Sequence, residues 1–591
     1  MSARAGLAAA VPRMRSCERA IAIAGAAALG LASVGLFLVS RGKWSDAIVD
    51  SGREWIVPDA LSRGDLLYRD VVYWFGPLTP YFHAALFKIF GSSFSTLVLA
   101  GIVGSIGVLA ALYFALRTVI GRREALLWTA LAVPALIFMP RAGGAILGMG
   151  YRMWHAAALS LFAIALLCGR RSPLKPALGV STGVLCALAG LCRTEWGLST
   201  AFAAMLVVAI REGVGRRFWR VSLTILATFA VVFSAVLAVF VWLAGTGAVL
   251  REGHVLLAGL PKETVTFLHR FSWSRDWQDG ILQVLYSSCL LLAGLFVLEA
   301  WASRRDDPQR LVRRLPWIVA VNLYMAIYPA RGGASARVLL SAAPAVCAAA
   351  VIVGVRLAPG RRAAALAGFG LLGLLLSFRR PLGIGDSPYV APPLLFAFVS
   401  AALLMEEVVD REQVHAVRHR LRRGHLAAVL LLVVFAFVAR VRQYSSDQSI
   451  PVEGTQAMLS AAPEDARRIT DLVRAISYSG VPGGLVVFPE GEVLNYLTGR
   501  PNPLRHKLYI PGYLSRDNES AVLRELEVAK PSAIVVLRRF TGEYGAAYFG
   551  FHYGRAIRDW VEENYAPRRY DAEWNGVCKM QSPACLFVRR R

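Results

Sequence analysis

Residues 44–81 hold the side chains best suited to chemistry. They include six carboxylates (Asp46, Asp50, Glu54, Asp59, Asp65 and Asp70) and, toward the end, the turn formers Gly64, Gly76, Pro77 and Pro80. A carboxylate can orient an attacking hydroxyl or take its proton. Arginine forks suit phosphate oxygens, and Arg53 and Arg69 lie in the same stretch. Asp50 and Arg53 form a D-x-x-R pair just past the first apolar segment, with Asp70 further along. Joining two apolar segments does not require so much acid, and loops on a rigid scaffold are where binding and catalysis concentrate. Asp50 and Asp70 are therefore the catalytic candidates. The alternatives are a solvated loop charge for Asp50 and a cap on the following helix for Asp70. Asp46, Glu54, Asp59 and Asp65 are read as surface charges.

The elements that position this stretch are membrane helices. The chain has 591 residues, 56% of them hydrophobic and only 18% charged, with a mean hydropathy of +0.50. Many apolar runs approach or exceed the ~20 residues that span a hydrocarbon core. The net charge of +26 is mostly arginine. Positive-inside loading of cytoplasmic loops explains it without invoking nucleic acid.

Residues 1–19 are read as a cytoplasmic N-terminus. The run from Ala20 to about Ser40 exceeds a signal-peptide core, and no small-x-small site precedes Arg41-Gly42-Lys43. It is read as an uncleaved first helix. Further spans are expected at 94–117, 124–140, 153–168, 174–192, 197–210, 219–244, 280–302, 315–329, 337–355, 362–378, 391–406 and 425–441, about 13 in all. With the N-terminus inside, every inside loop is basic, including Arg122–Arg123, Arg170–Arg171, Arg304–Arg314 and Arg411–Arg423. The stretch 78–90 is too short to span and reads as half-buried or interfacial. The expected fold is thus a polytopic α-helical membrane protein with its C-terminus outside. A multi-span domain covers 20–442, with a catalytic outer loop at 41–93.

Composition shifts after Gln443. Helical signals at 466–477 and 520–529 alternate with apolar strands at 484–488 and 533–537. This pattern suggests an outer α/β domain over 443–591. Cys578 and Cys585 are close enough there to close a short disulfide loop, which an oxidising compartment permits. The other six cysteines lie in or beside apolar runs and read as small core residues. No nucleotide-binding loop, zinc-protease or nucleophile-elbow motif occurs in a supporting context.

The D-x-x-R pair, followed by Tyr68-Arg69-Asp70-Val71-Val72-Tyr73-Trp74-Phe75-Gly76-Pro77-Leu78, resembles the first outer loop of the GT-C membrane glycosyltransferases. These include the protein O-mannosyltransferases, the lipid A aminoarabinose transferases and bacterial dolichol-phosphate-mannose-transferase-like proteins. In that superfamily a carboxylate motif follows the first helix, and a second acidic motif comes later in the same loop or at the next outer turn. Asp50-Ser51-Gly52-Arg53 matches the first, and Arg69-Asp70 with Gly76-Pro77-Leu78 the second. Two positions depart from the pattern. Ser51 stands where the family carries a second acid, and Val71 where some members carry a basic residue. The stretch 488–503, FPEGEVLNYLTGRPNP, resembles the tail of bacterial members. There it implies acceptor recognition or cover for the cavity, against a plain proline-rich surface loop.

The resemblance implies an inverting glycosyltransferase. It would move a sugar from a polyprenyl-phosphate donor to a cell-envelope lipid, glycan or protein, at the outer face of the cell inner membrane. Asp50 would serve the acceptor hydroxyl, with Asp70 in support. Six arginines expected on the outer side would meet the donor phosphate: Arg53, Arg69, Arg152, Arg193, Arg331 and Arg337. For Arg193 the alternative is a structural ion pair with Glu195. For Arg331 and Arg337 it is headgroup snorkelling. His155, His254 and His269 read as interfacial. Tyr73, Trp74, Trp273 and Trp277 form either an interfacial belt or a stacking surface for sugar. A divalent cation between carboxylates is compatible with the chemistry, although no ligand spacing defines one. The competing reading is a transporter or flippase of a lipid-linked saccharide. It would call for charge deep in several spans and commonly an internal repeat, and the sequence shows neither clearly.

Overall fold

A computed structural model describes residues 24–252 and 334–590, apart from 26, 50, 141–142, 149, 170–172, 358–359, 378–390, 412–413, 479–481, 512, 515, 543–545 and 569–581. The spans expected at 280–302 and 315–329 lie outside the described residues.

The apolar runs form helices. In chain order these are α1 (Ala27–Ser40), α2 (Ser51–Ser62), α3 (Leu78–Phe90), α4 (Phe94–Arg117), α5 (Arg122–Ala132), α6 (Tyr151–Gly169), α7 (Pro176–Cys192), α8 (Thr194–Glu212), α9 (Arg216–Ala244) and α10 (Thr246–Glu252). After the undescribed stretch come α11 (Ala334–Arg356), α12 (Arg361–Ser377), α13 (Ala391–Arg411) and α14 (His415–Ser445). Among the described residues α4, α6, α9 and Ala416–Ser445 of α14 are long and apolar enough to cross a membrane. The chain is a membrane protein. α9 leaves Val231 and Trp242 largely exposed, as a lipid-facing surface requires.

Local chemistry sets the helix ends. The Ser93 side chain accepts the Thr96 N–H at 3.2 Å and so caps α4. α7 begins with Pro176, whose missing N–H costs nothing in a first turn. α5 runs into a π-helical turn at Val133–Ile137, where Pro134 cannot donate. α3 buries Thr79, His83, Ala84 and Phe87 while exposing Ile89 and Phe90, so the ambiguous 78–90 stretch is a helix buried on one side.

Contacts sort the helix ends into two groups. At one end Arg362 pairs with Glu407 (3.3 Å) and Asp410 (2.6 Å), and Arg422 with Glu124 (3.3 Å) and Glu406. Arg211 donates there to the carbonyls of Leu167 and Cys168, both at 3.1 Å. These ends adjoin the arginine-rich loops. At the other end the Lys43 ammonium donates to the Tyr444 carbonyl (2.9 Å), and the Tyr68 ring meets Phe240 edge-on.

Beyond α14 a short ladder pairs β1 (Ile450–Pro451) with β2 (Ser460–Ala461). α15 (Pro463–Tyr478), β3 (Leu485–Phe488), α16 (Val493–Thr498), α17 (Arg516–Ala529) and β4 (Ala533–Leu537) follow. α18 (Arg555–Asn564), β5 (Tyr565–Arg568) and β6 (Ala584–Arg589) complete a four-stranded sheet of order β3-β4-β6-β5. β3 and β4 are parallel, with Leu485 opposite Ala533, and every residue of both is buried. β6 runs antiparallel to both β4 and β5. Cys585 in β6 is disulfide-bonded, while Cys578 lies outside the described residues.

Candidate functional site

The acidic stretch is mostly folded. Its first half is α2, which keeps its helical path through Pro58 and buries most of its residues. Glu54 and Asp59, read from sequence as surface charges, are buried. Each has found a partner, which is what allows a carboxylate inside. Glu54 pairs with Arg152 at 3.1 Å. Asp59 accepts from Ser92 at 2.7 Å and pairs with Arg63. Asp46 accepts the N–H groups of Ile48 and Val49, both at 2.8 Å, just before α2. Asp50 precedes α2 directly and lies outside the described residues, as do Arg331, His254, His269, Trp273 and Trp277. The same holds for the side chain of Arg337.

Two glycines let this stretch dock. A Cβ at Gly52 would lie 2.4 Å from the Val493 nitrogen, so the start of α2 rests against the backbone of the C-terminal region. A Cβ at Gly76 would lie 1.9 Å from the Leu191 carbonyl oxygen, so the turn before α3 is pressed onto the end of α7. No larger residue fits either position without backbone movement.

Near these contacts lies an open cavity of about 700 Å³, the solvent at its mouth included. α2 contributes Arg53, Glu54, Val57 and Pro58. The following loop and α3 contribute Val72–Phe75, Thr79, Pro80 and His83, and α6 contributes Arg152. The C-terminal region closes it with His506, Lys507, Leu508 and Tyr513. The walls combine apolar rings with a few charged groups, as ligand cavities usually do.

The charges are tightly organised. Arg53 is bridged to Glu490 at 2.7 Å, and Glu490 is 1% exposed. Burial raises the Glu54 carboxyl above its usual range, against the opposing pull of Arg152 and Arg53. The Arg152 guanidinium lies 3.8 Å over the Phe75 ring, and Arg193 approaches the same ring at 5.1 Å. Arg193 also pairs with Glu195 at 2.6 Å, so its structural ion pair is formed. Trp74 stacks on Tyr513, with centroids 3.7 Å apart and planes 14° apart. His155 meets Thr79 at 3.1 Å.

Asp70 and Arg69 sit at a neighbouring turn and are not among the cavity-lining residues. Asp70 accepts the Leu66 N–H at 2.9 Å and pairs with Arg69 at 2.7 Å. The hydrogen bond from Arg69 holds its carboxyl below the usual range. Asp70 therefore ties its own turn together and does not cap α3, which is preceded by Pro77. The turn is also a dock. Arg505 donates to the carbonyls of Arg69 (2.6 Å) and Tyr68 (3.1 Å), and its own carbonyl accepts the Val72 N–H at 3.0 Å.

Sequence reasoning missed Glu490, Glu492 and Lys507. Glu492 is 1% exposed beside Glu490, and burial pushes its carboxyl up to about 7. The 488–503 stretch is therefore no plain surface loop, because its glutamates pack against α2. The only advance signal was the FPEGEV motif. Among the described residues no group of three or more His, Cys, Asp or Glu side chains is placed to hold a metal ion.

No protein-family model matches the sequence, and comparison with curated proteins finds no match. Solved structures do match. ArnT from Cupriavidus metallidurans is 12% identical with a TM-score of 0.50, the match covering 96% of this chain and 98% of ArnT. The Archaeoglobus fulgidus oligosaccharyltransferase tethered with an acceptor peptide is 12% identical with a TM-score of 0.49, covering 92% of this chain and 72% of the other. Arabinofuranosyltransferase AftD from Mycobacteria is 14% identical with a TM-score of 0.40, covering 95% and 41%. The chain has the GT-C fold, matched to ArnT along almost the whole length of both chains.

Proposed function

We propose that the protein is an inverting glycosyltransferase. It moves a sugar from a polyprenyl-phosphate donor to a cell-envelope lipid, glycan or protein on the outer face of the inner membrane. The carrying observation is the cavity lined by Arg53, Arg152 and Lys507, part of whose wall is the acid-rich stretch itself. It lies at the end of the bundle away from the arginine-rich loops, which supports an outer placement. ArnT, which shares the fold, has also been solved with undecaprenyl phosphate bound.

In the proposed reaction the acceptor oxygen attacks the anomeric carbon. The carbon–oxygen bond to the phosphate breaks, and polyprenyl phosphate leaves with the electron pair. Asp50 orients the acceptor hydroxyl and takes its proton, with Asp70 in support. Arg53, Arg152 and Arg193 offset the charge gathering on the departing phosphate. Arg69, Arg331 and Arg337 are the remaining candidate contacts. The proposed organisation keeps a cytoplasmic segment at 1–19, about 13 spans within 20–442, and an outer α/β domain at 443–591.

The test is reconstitution of the purified protein in vesicles with a labelled polyprenyl-phosphate sugar and an envelope extract. Label transfer without net lipid flipping supports the enzyme. Flipping without transfer would establish the transporter reading instead. A glycan profile of a deletion strain then identifies the acceptor.

A further inference from the structure

Arg505 grips the chain on both sides of Asp70. Its Nε donates to the Arg69 carbonyl at 2.6 Å, and its Nη2 donates to the Tyr68 carbonyl at 3.1 Å. Its own carbonyl accepts the Val72 N–H at 3.0 Å. A guanidinium can hold two carbonyls at once because its donors are fixed in one plane. The grip is anchored from behind by Glu525 of α17. That carboxylate accepts the Arg505 N–H at 2.9 Å and meets the His506 ring at 2.9 Å.

Tyr68 carries the grip inward. It is fully buried and sits at φ +71°, in the left-handed region that side chains rarely adopt. Such a backbone persists only where its surroundings over-determine it. Here the Tyr68 N–H donates to the Val71 carbonyl at 2.9 Å, and Arg505 holds the Tyr68 carbonyl. The Tyr68 hydroxyl then donates to the Phe75 carbonyl at 2.8 Å. Phe75 is the ring over which Arg152 lies at 3.8 Å and which Arg193 approaches at 5.1 Å. Arg505, Tyr68 and Phe75 form a continuous line from the C-terminal region to these two arginines. Phe75 and Arg152 line the cavity, whereas Arg505 and Tyr68 stand behind its wall.

We infer that Arg505 is a positioning residue for the donor phosphate. Acting through Tyr68, it fixes the Phe75 ring and with it the place of Arg152 and Arg193. This rests on the proposed donor class, and it gives the C-terminal region a part in donor binding that needs no direct contact.

Arg505 is half-buried, and hydrogen bonds in reach of water add only modestly to stability. A purely structural contribution would be small and would add to other losses. A positioning residue behaves differently, because its effect disappears once the line it acts through is already cut.

A double-mutant cycle separates the two. Polyprenyl-phosphate binding to the full chain in detergent is titrated for wild type, Arg505→Met, Tyr68→Phe and the double variant. Thermal unfolding confirms that each is folded during the titration. Arg505→Met removes the guanidinium and keeps an apolar stem. Tyr68→Phe removes only the hydroxyl that reaches Phe75. Arg505→Met should weaken binding about tenfold and Tyr68→Phe about fivefold. The double variant should lose about tenfold, rather than the roughly fiftyfold of independent effects. A fiftyfold loss, or wild-type affinity in Arg505→Met, overturns the inference and leaves the proposed donor standing. No binding by wild type overturns the proposed donor and this inference together. Should Arg505→Met not fold, Arg505→Lys takes its place in the cycle under the same criterion, since it keeps the charge without the planar fork.

Discussion

Arg53 and Glu490, 437 positions apart in the chain, meet at 2.7 Å beside the cavity. Their bridge fastens the first helix of the acidic stretch to the C-terminal region. Gly52 makes the approach feasible, since any side chain there would strike the backbone of Glu492 and Val493. The cavity is therefore a joint product of both ends of the chain.

Breaking that bridge should be costly. Removing one partner of a buried pair leaves an uncompensated charge, at about 3–5 kcal/mol. Glu490→Ala should therefore lower the unfolding temperature clearly, and Glu490→Asp should recover part of the loss. Thermal unfolding in detergent measures both. An unchanged midpoint in Glu490→Ala would show that the bridge contributes nothing.

Arg152 tests the cation wall. Arg152→Lys keeps the charge but loses the planar stack on Phe75 and the fork toward Glu54. Binding of polyprenyl phosphate should weaken about tenfold, equivalent to about 1.4 kcal/mol. Equal affinity in the variant would remove Arg152 from the donor site.

Much of this architecture was legible in the sequence. Hydropathy anticipated helices such as Phe94–Arg117, Tyr151–Gly169 and Arg216–Ala244 closely, because an apolar run of spanning length has few other outcomes. Apolar runs also announced β3 and β4. β5 and α18 went unread: three of the four β5 residues are exposed, and α18 is short and mostly polar. α2 was hidden by Pro58 and by burial on nearly all sides, which erases the periodicity that reveals a helix. Pairings such as Arg53 with Glu490 and Glu54 with Arg152 join residues too distant in the chain for spacing to carry information. This is why Glu54 reads as a surface acid from sequence and is buried in the fold.

Glu492 should make stability depend on pH. Its folded value of about 7 lies above the ordinary carboxylate value of 4.5, mainly through burial. The folded state therefore holds the proton more tightly, and stability falls as pH rises between these two values. The loss is complete above about pH 7 and amounts to roughly 3 kcal/mol. Glu492→Gln should flatten this dependence, so that the variant gains on wild type at about pH 8 relative to about pH 5. Parallel unfolding curves at both pH values would contradict it.

Gly76→Ala should damage the site from outside it. The added methyl would meet the Leu191 carbonyl and push the turn carrying Phe75 off α7. A destabilisation of about 1–3 kcal/mol is expected, with weaker donor binding, by thermal unfolding and lipid titration. A variant with wild-type stability and binding would show that the turn tolerates the shift.

The role of Asp50 is decided by sugar transfer from a labelled polyprenyl-phosphate donor by wild type and Asp50→Asn, reconstituted side by side. The substitution keeps the side-chain shape and removes the charge that would serve the acceptor hydroxyl. Wild type should transfer sugar and Asp50→Asn should transfer none, with the variant folded and inserted in the membrane. Full transfer by Asp50→Asn would contradict that role.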